Sequence, residues 1–321
     1  MSAFSAYLVK RMGYIGVTLL LISLIIFSIT QLLPGNAAVM ILGKQATEES
    51  ITAIEQQLGL NRVWYVQYFD WLVGFVTGDW GTSFSNRQAV SELIFPRLIR
   101  SAQLALITSV LVTITAIPLG VLAAIKQDSI WDLLASAGGY IGVSLPEFVI
   151  GTAFIALFTG PIFQILPFGG YEPMSAGMIT WAKHLILPSV TLSIILTAHV
   201  MRLTRSELVE VLRKDYVRTA RLKGLDESKV ISRHALRNGL LPTITLLTLN
   251  VGYLLGSIVV VEEVFTFPGL GRLLVRSIQA RDLPVIQVTV MLLAIVYAFA
   301  NLTADLLYTY LDPRIEYGEK Q

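Results

Sequence analysis

Residues 202–242 read RLTRSELVEVLRKDYVRTARLKGLDESKVISRHALRNGLLP, with a long apolar run on either side. This stretch holds ten of the chain's 24 Lys and Arg residues against five Asp and Glu. Lys and Arg resist transfer across a membrane, so a basic connection of this length between two apolar spans is retained in the cytoplasm. The stretch also reads as built structure. Gly224 is placed to end one helix in a left-handed cap, and Asp226 to begin the next. Thr219, Ala220 and Gly224 are small and fall within about two helical turns, which leaves a surface that another protein's backbone can approach. Two readings are open: a solvated tether that merely obeys the charge bias, or a docking element for a cytoplasmic partner.

Composition makes the wider chain a membrane protein. Of its 321 residues, 54% are hydrophobic and 14% charged, against about 25% charged in soluble domains. Mean hydropathy is +0.67. The net charge of +2 is distributed by side of the membrane, so the lipid bilayer is the expected environment and nucleic acid is not an expected partner. The absence of cysteine excludes disulfides, thiolate metal sites and cysteine nucleophiles. His184, His199 and His234 are scattered, and no metal site is expected from them. No GxxxxGK[ST] phosphate loop and no HExxH pair occurs, so no catalytic or cofactor site is expected in this chain. Lys10 and Arg11 precede the apolar run Gly13–Leu33, which is longer than a typical signal-peptide core and reads as a retained first span.

Six segments are long enough to cross a bilayer, which takes about 20 residues. They are approximately 13–33, 101–125, 133–158, 184–203, 239–261 and 284–308, the fourth being the shortest. The expected fold class is an all-α membrane protein with about six transmembrane helices. Lys10 and Arg11 put the N-terminus inside, and an even number of spans returns Arg314 and Lys320 to the same side. The Lys126–Asp132 turn also falls inside. Residues 34–100 then form a small extracytoplasmic lobe. In it Thr47-Glu48-Glu49 starts a helix striped by Ile51, Ile54 and Leu58, and Gly59 stops it. The aromatic run Trp64–Phe75 lies against the membrane interface, and Gly78–Gly81 is a turn. A second outside segment, VEEVFTFPGLGRLLVRSIQARDLP at 261–284, is either an interfacial helix with a turn or a re-entrant gate lining a cavity.

Charged groups inside a span usually face a cavity or a protein partner. Glu147 follows Pro146 near the middle of the third span, where proline removes a backbone hydrogen bond and opens the helix. A broken helix with a carboxylate at mid-depth is a transporter-like arrangement; the competing reading is a structural pairing with a neighbouring helix. Asp305 sits near the end of the last span, where a cap or snorkelling role is expected. Asn250, Gln287 and Asn301 are candidates for interhelical hydrogen bonds. Glu147 and Asn250 are taken as the candidate substrate path.

Several stretches carry a family resemblance. They include DYVRTARLKGL at 215–225, RHALRNGLLP at 233–242, LLPGN at 32–36, QLGLNRVWYVQYFDWL at 57–72 and GDWGTSF at 78–84. IPLGVLAAIK at 117–126, SLPEFVIG at 144–151, VEEVFTFPGLGRLL at 261–274 and DLLYTYLDPRI at 305–315 agree with them. Over nearly its whole length the chain resembles the inner-membrane permease of a type I ABC importer, in the dipeptide/oligopeptide/nickel group. Of the general EAA-x3-G-x9-I-x-L-P motif, only Ala220 and Gly224 match the first half strictly. The Ile position falls on His234, and Leu241-Pro242 close the motif about five residues late.

The resemblance implies a type I importer permease fold. Residues 1–100 would be the first helix plus the lobe, and 101–321 a five-helix core with an ATPase-docking loop at 205–238. Docking is implied for Tyr216, Arg218, Thr219, Ala220, Gly224 and Asp226. The implied partners are a homologous second permease, two cytoplasmic ATPases that hold ATP and Mg, and an extracytoplasmic substrate-binding protein, all at a prokaryotic inner membrane. The implied cargo is di- or oligopeptides, with nickel, glutathione or an opine as alternatives. Outside the family, a channel or secondary transporter without an ATPase remains open, as does an intramembrane enzyme.

Overall fold

The computed structural model describes residues 3–32, 39, 42, 47–57, 59, 61–160 and 163–311. Leu58, Pro34 to Asn36, Arg314 and Lys320 lie outside the described residues. Every regular element among those described is helical, and the one extended contact is an isolated antiparallel bridge between Thr82 and Ala89. In chain order the helices are α1 (Ala3–Leu32), α2 (Glu48–Gln57), α3 (Trp64–Thr77), α4 (Val90–Ile125), α5 (Ile130–Ser144), α6 (Glu147–Phe158), α7 (Met178–Leu212) and α8 (Asp215–Leu222). An α-turn Glu227–Lys229, a π-turn Val230–Ala235 and an α-turn Leu236–Gly239 lead into α9 (Leu241–Val264), α10 (Leu270–Ala280) and α11 (Leu283–Leu311).

Five helices, α1, α4, α7, α9 and α11, are long and apolar enough to cross a membrane. The sixth expected span, 133–158, is not one helix: α5 and α6 meet at a 104° bend. The cause is local. Pro146 has no N–H to give the helix and holds Leu145 extended at φ −106°, ψ 130°. The expected fourth span also differs, since α7 runs 35 residues and carries on into the basic stretch. Thr204, Leu208 and Val211 keep helical spacing there and are buried, while Arg202, Ser206 and Glu210 stay exposed.

The described residues divide into two compact units. One comprises residues up to Arg100 with Gly269–Ala298; the other comprises Ser101–Pro268 and the residues from Phe299 onward. In the first unit α2 opens on a reciprocal cap. Ser50 N–H donates to Thr47 Oγ1 at 3.3 Å, and Thr47 N–H donates to Ser50 Oγ at 2.9 Å. Beyond α3, Gly78 is left-handed at φ 86° and begins the expected turn. Phe27, Trp71, Phe75, Trp80 and Phe95 follow one another as ring neighbours. The 261–284 segment contains the amphipathic α10, and after it the fully buried Asp282 accepts from the Ser83 and Ser85 hydroxyls and from Phe84 N–H at 3.0 Å.

The second unit is organised on α7. In its most apolar window 67% of residues are buried, against 17–33% in the other spans. Helices α5, α6 and α9 all pack on it. Small residues permit the approach: a Cβ on Gly120 would come within 2.6 Å of Thr204 Cβ and 2.7 Å of the Met201 carbonyl, and one on Gly142 within 3.1 Å of Ile194. Gly120→Leu is therefore expected to lower the stability of the purified permease chain by about 1–3 kcal/mol through overpacking, read as an earlier thermal transition in detergent. Gly16→Leu, where a Cβ meets nothing within 4 Å, is the control expected to leave the transition in place.

Candidate functional site

Two arrangements in the second unit carry chemistry. The first is the basic stretch, which is a folded platform. Helix α8 turns back on the end of α7 and buries Val217 and Ala220 among Ala124, Leu208, Val211, Val230 and Ala235. Ala220, read from sequence as part of an approachable surface, faces inward at 5% exposed, because it shares a helical face with Val217. Tyr216, Arg218 and Thr219 face outward, as do Leu222 at 80% and Leu225 at 39% exposed. Tyr216 Oη accepts from Asn238 Nδ2 at 3.0 Å, which ties the ring to the α-turn Leu236–Gly239.

Gly224 follows α8 at φ +78°, the left-handed position that an L side chain rarely adopts. No atom lies within 4 Å of its would-be Cβ, so backbone conformation and not space selects glycine here. Asp226 occupies the next N-cap: its carbonyl accepts from Lys229 N–H at 2.9 Å and Val230 N–H at 3.0 Å. Its carboxylate makes no cap bond and instead pairs with Lys229 Nζ at 3.6 Å. Arg221 forks onto Glu227 across the turn, Nη2 to Oε1 at 2.6 Å and Nε to Oε2 at 3.1 Å.

The second arrangement surrounds the bend. Glu147 opens α6, and its Oε1 accepts from Tyr253 Oη at 2.8 Å and Ser257 Oγ at 2.9 Å, both on α9. Among the described residues no cation stands at ion-pair distance from it. Asn250 lies one turn before Tyr253, and its Nδ2 is buried without a hydrogen-bond partner. Asn250 and Tyr253 line a cavity of about 720 Å³ together with Tyr140, His199 and Arg202. Nearby, Arg205 forks onto the buried Asp132, Nη2 to Oδ2 at 2.6 Å. Asp132 also accepts from Asp128 N–H at 3.0 Å, which ties the α4–α5 turn to α7.

Two family models match this chain. The description "binding-protein-dependent transport system inner membrane component" matches residues 116–317, and the N-terminal model of the same system matches residues 4–105. The chain belongs to this family. It is a permease of the ABC importers, an inner-membrane component of a transport system that works with a binding protein. It is 36% identical to the dipeptide transport system permease of Alkalihalophilus pseudofirmus, over 97% of this chain and 99% of that one. It is 37% identical to the glutathione transport system permeases of Salmonella typhimurium and Escherichia coli K12, again over 97% of this chain and 99% of theirs.

The structure brings Glu147 and Asn250, both singled out in the permease sequence, to one face of α9 and its surroundings. It adds residues that the sequence reading passed over: Tyr253, Ser257, Arg202 and the Asp132–Arg205 pair. Tyr253 and Ser257 had a signal, since Asn250, Tyr253 and Ser257 share a helical face at i, i+3 and i+7. The platform also yields a pH expectation. The hydrogen bond from Arg221 holds the Glu227 carboxyl below its ordinary value. The bridge is thus fully present above the ordinary glutamate pKa and is lost as pH falls through the lowered value. Hydrogen exchange of the Gly224, Lys229 and Val230 amides, whose backbone hydrogen bonds close this turn, is expected to accelerate across that acid window after correction for intrinsic rates. In Glu227→Gln the corrected rate is expected to be elevated already at neutral pH and to stay flat.

Proposed function

We propose that this permease forms the translocation path for peptides in an ATP-driven importer, working with a homologous second permease, two cytoplasmic ATPases and an extracytoplasmic binding protein. ATP and Mg belong to the ATPases. Both termini and residues 205–238 face the cytoplasm, and residues 36–98 face outside. The observation that carries the reading is the folded basic platform, which turns Tyr216, Arg218, Thr219 and Leu222 outward on a buried apolar base. A tether needs no such base. The peptide cargo is supported by the dipeptide transport permease of Alkalihalophilus pseudofirmus. Glutathione, named for the Salmonella typhimurium relative, is the second cargo in view and is itself a tripeptide.

In this reading the outer face of α8 and the Gly224 turn sit against an ATPase, with Asp226 starting the turn beyond. ATP-driven closure of the ATPases moves the two permeases' platforms together, and the spans open outward to receive cargo. The nucleotide drives this only through its different affinity for the two states. Gly224→Val forces a β-branched residue into a left-handed backbone. Expression and membrane insertion are expected to survive. Uptake in proteoliposomes is expected to fall at least tenfold, and ATP hydrolysis is expected to lose its stimulation by loaded binding protein. A well-expressed Gly224→Val complex with normal stimulation and uptake would make the platform a tether.

Orientation is checked separately. The chain has no cysteine, so Ser228→Cys gives a single reporter. It is expected to resist an impermeant thiol reagent added outside intact cells and to react after the membrane is opened. Labelling from outside would reverse the assigned topology.

A further inference from the structure

We infer that a short peptide is held by both of its charged ends, the carboxylate in the α5–α7–α9 cavity at Arg202, His199 and Asn250, and the ammonium at Glu147, which is not itself among the cavity's lining residues but is bonded by the hydroxyl of one of them, Tyr253. This rests on the peptide reading above and adds to it where the ends are held. The cavity's size falls in the range of small-molecule sites. Its lining contains Arg202, His199 and Arg205 but no Asp or Glu. Arg205 is already committed to Asp132 by two hydrogen bonds. Arg202, one turn earlier, has no carboxylate partner among the described residues; its guanidinium lies 5.6 Å over the Tyr140 ring. A cation–π contact at this distance holds the guanidinium near the ring without using its N–H donors, which remain available to a planar anion. Asn250 Nδ2, a buried donor without an acceptor, faces the same lack. A buried donor left unpaired is costly, and a bidentate carboxylate supplies acceptors to guanidinium and amide together.

The other end has the opposite deficit. Glu147 accepts two hydroxyl hydrogen bonds and has no cation beside it. Tyr253 joins the two ends, because it is a lining residue of the cavity and its hydroxyl reaches Glu147. From Asn250 to Ser257 is about 10 Å along α9 at 1.5 Å per residue. An extended chain covers about 3.3–3.6 Å per residue, so the separation suits a di- or tripeptide. Leu196 and Leu246 are apolar members of the cavity lining and impose no polar requirement on the side chains carried.

The test uses the complete importer in proteoliposomes with Leu246→Cys as the only cysteine in this chain. Alkylation of that cysteine is timed without binding protein, in the presence of dialanine, its C-terminal amide or N-acetyl-dialanine. Dialanine is expected to slow alkylation, and the amide to need at least tenfold higher concentration for the same effect. With protection in each variant measured against that variant's own unprotected rate, Arg202→Gln is expected to erase that difference and Arg202→Lys to restore part of it. Glu147→Gln is expected to erase the corresponding difference between dialanine and its N-acetyl form. Equal protection by dialanine and its amide, or unaltered discrimination in Arg202→Gln, would overturn the assignment. Protection by glycerol phosphate and not by dialanine would also overturn it and make this a lipid-headgroup site. Uptake of labelled di- and tripeptides by wild-type vesicles with loaded binding protein reports on the peptide reading by itself. If uptake is present and protection fails, only the two-pole site is lost. If no peptide is taken up, the peptide reading fails and the site with it.

Discussion

Close backbone approach to α7 is the contact on which the second unit depends. Gly120 and Gly142 let α4 and α5 come within van der Waals range of it, and Gly139 lies against Met201. Inside a membrane there is little hydrophobic drive between helices, so this kind of small-residue packing has to supply the association. Its consequence is mechanical. The same unbroken helix that carries His199 and Arg202 on the cavity carries Leu208 and Val211 under the platform. Arg202 and Leu208 are about 9 Å apart along the axis, with no proline, glycine or π-turn between them to absorb a rotation. A displacement applied at the platform therefore reaches the cavity wall as a rigid-body motion.

The softer joints lie elsewhere. Pro146 breaks the α5–α6 pair, and the π-turn at Val230–Ala235 leads from the platform toward α9. Irregular turns of this kind are where helices change direction and where function gathers. Both joints end at helices that line the cavity. The rigid member and the two hinged members thus meet at Tyr253, Asn250 and Arg202.

Much of this was legible in the sequence, and the reasons are physical. Apolar length located the spans because hydrocarbon admits only long internally bonded helices. Gly224 gave away its left-handed turn because that backbone excludes most side chains. Pro146 announced a break at Glu147 for the same kind of local reason. What depends on three-dimensional register was harder to see. Ala220 reads as an exposed small residue until Val217 fixes which face of α8 is buried. The length of α7 was hidden because RLTRSEL looks like loop by charge, whereas Thr204, Leu208 and Val211 are at core spacing. The Asp132–Arg205 fork joins residues far apart in sequence, which no local pattern encodes.

The carboxylates of the second unit separate by what surrounds them. Asp132 is buried and neutralised by Arg205, the arrangement that burying a charge demands. Glu262 is fully buried and accepts from the Ser101 hydroxyl. Glu147 is half-buried at the broken helix, and the two groups bonded to it are hydroxyls, which orient a carboxylate without cancelling its charge. Arg202 is the mirror case, a guanidinium set on an aromatic face without an acid. If the two were simply structural, pairing them with each other or with near neighbours would relieve both. Leaving them unpaired, one over the Tyr140 ring and the other on the Tyr253 and Ser257 hydroxyls, preserves a local charge separation that a neutral solute gains nothing from and a zwitterion does.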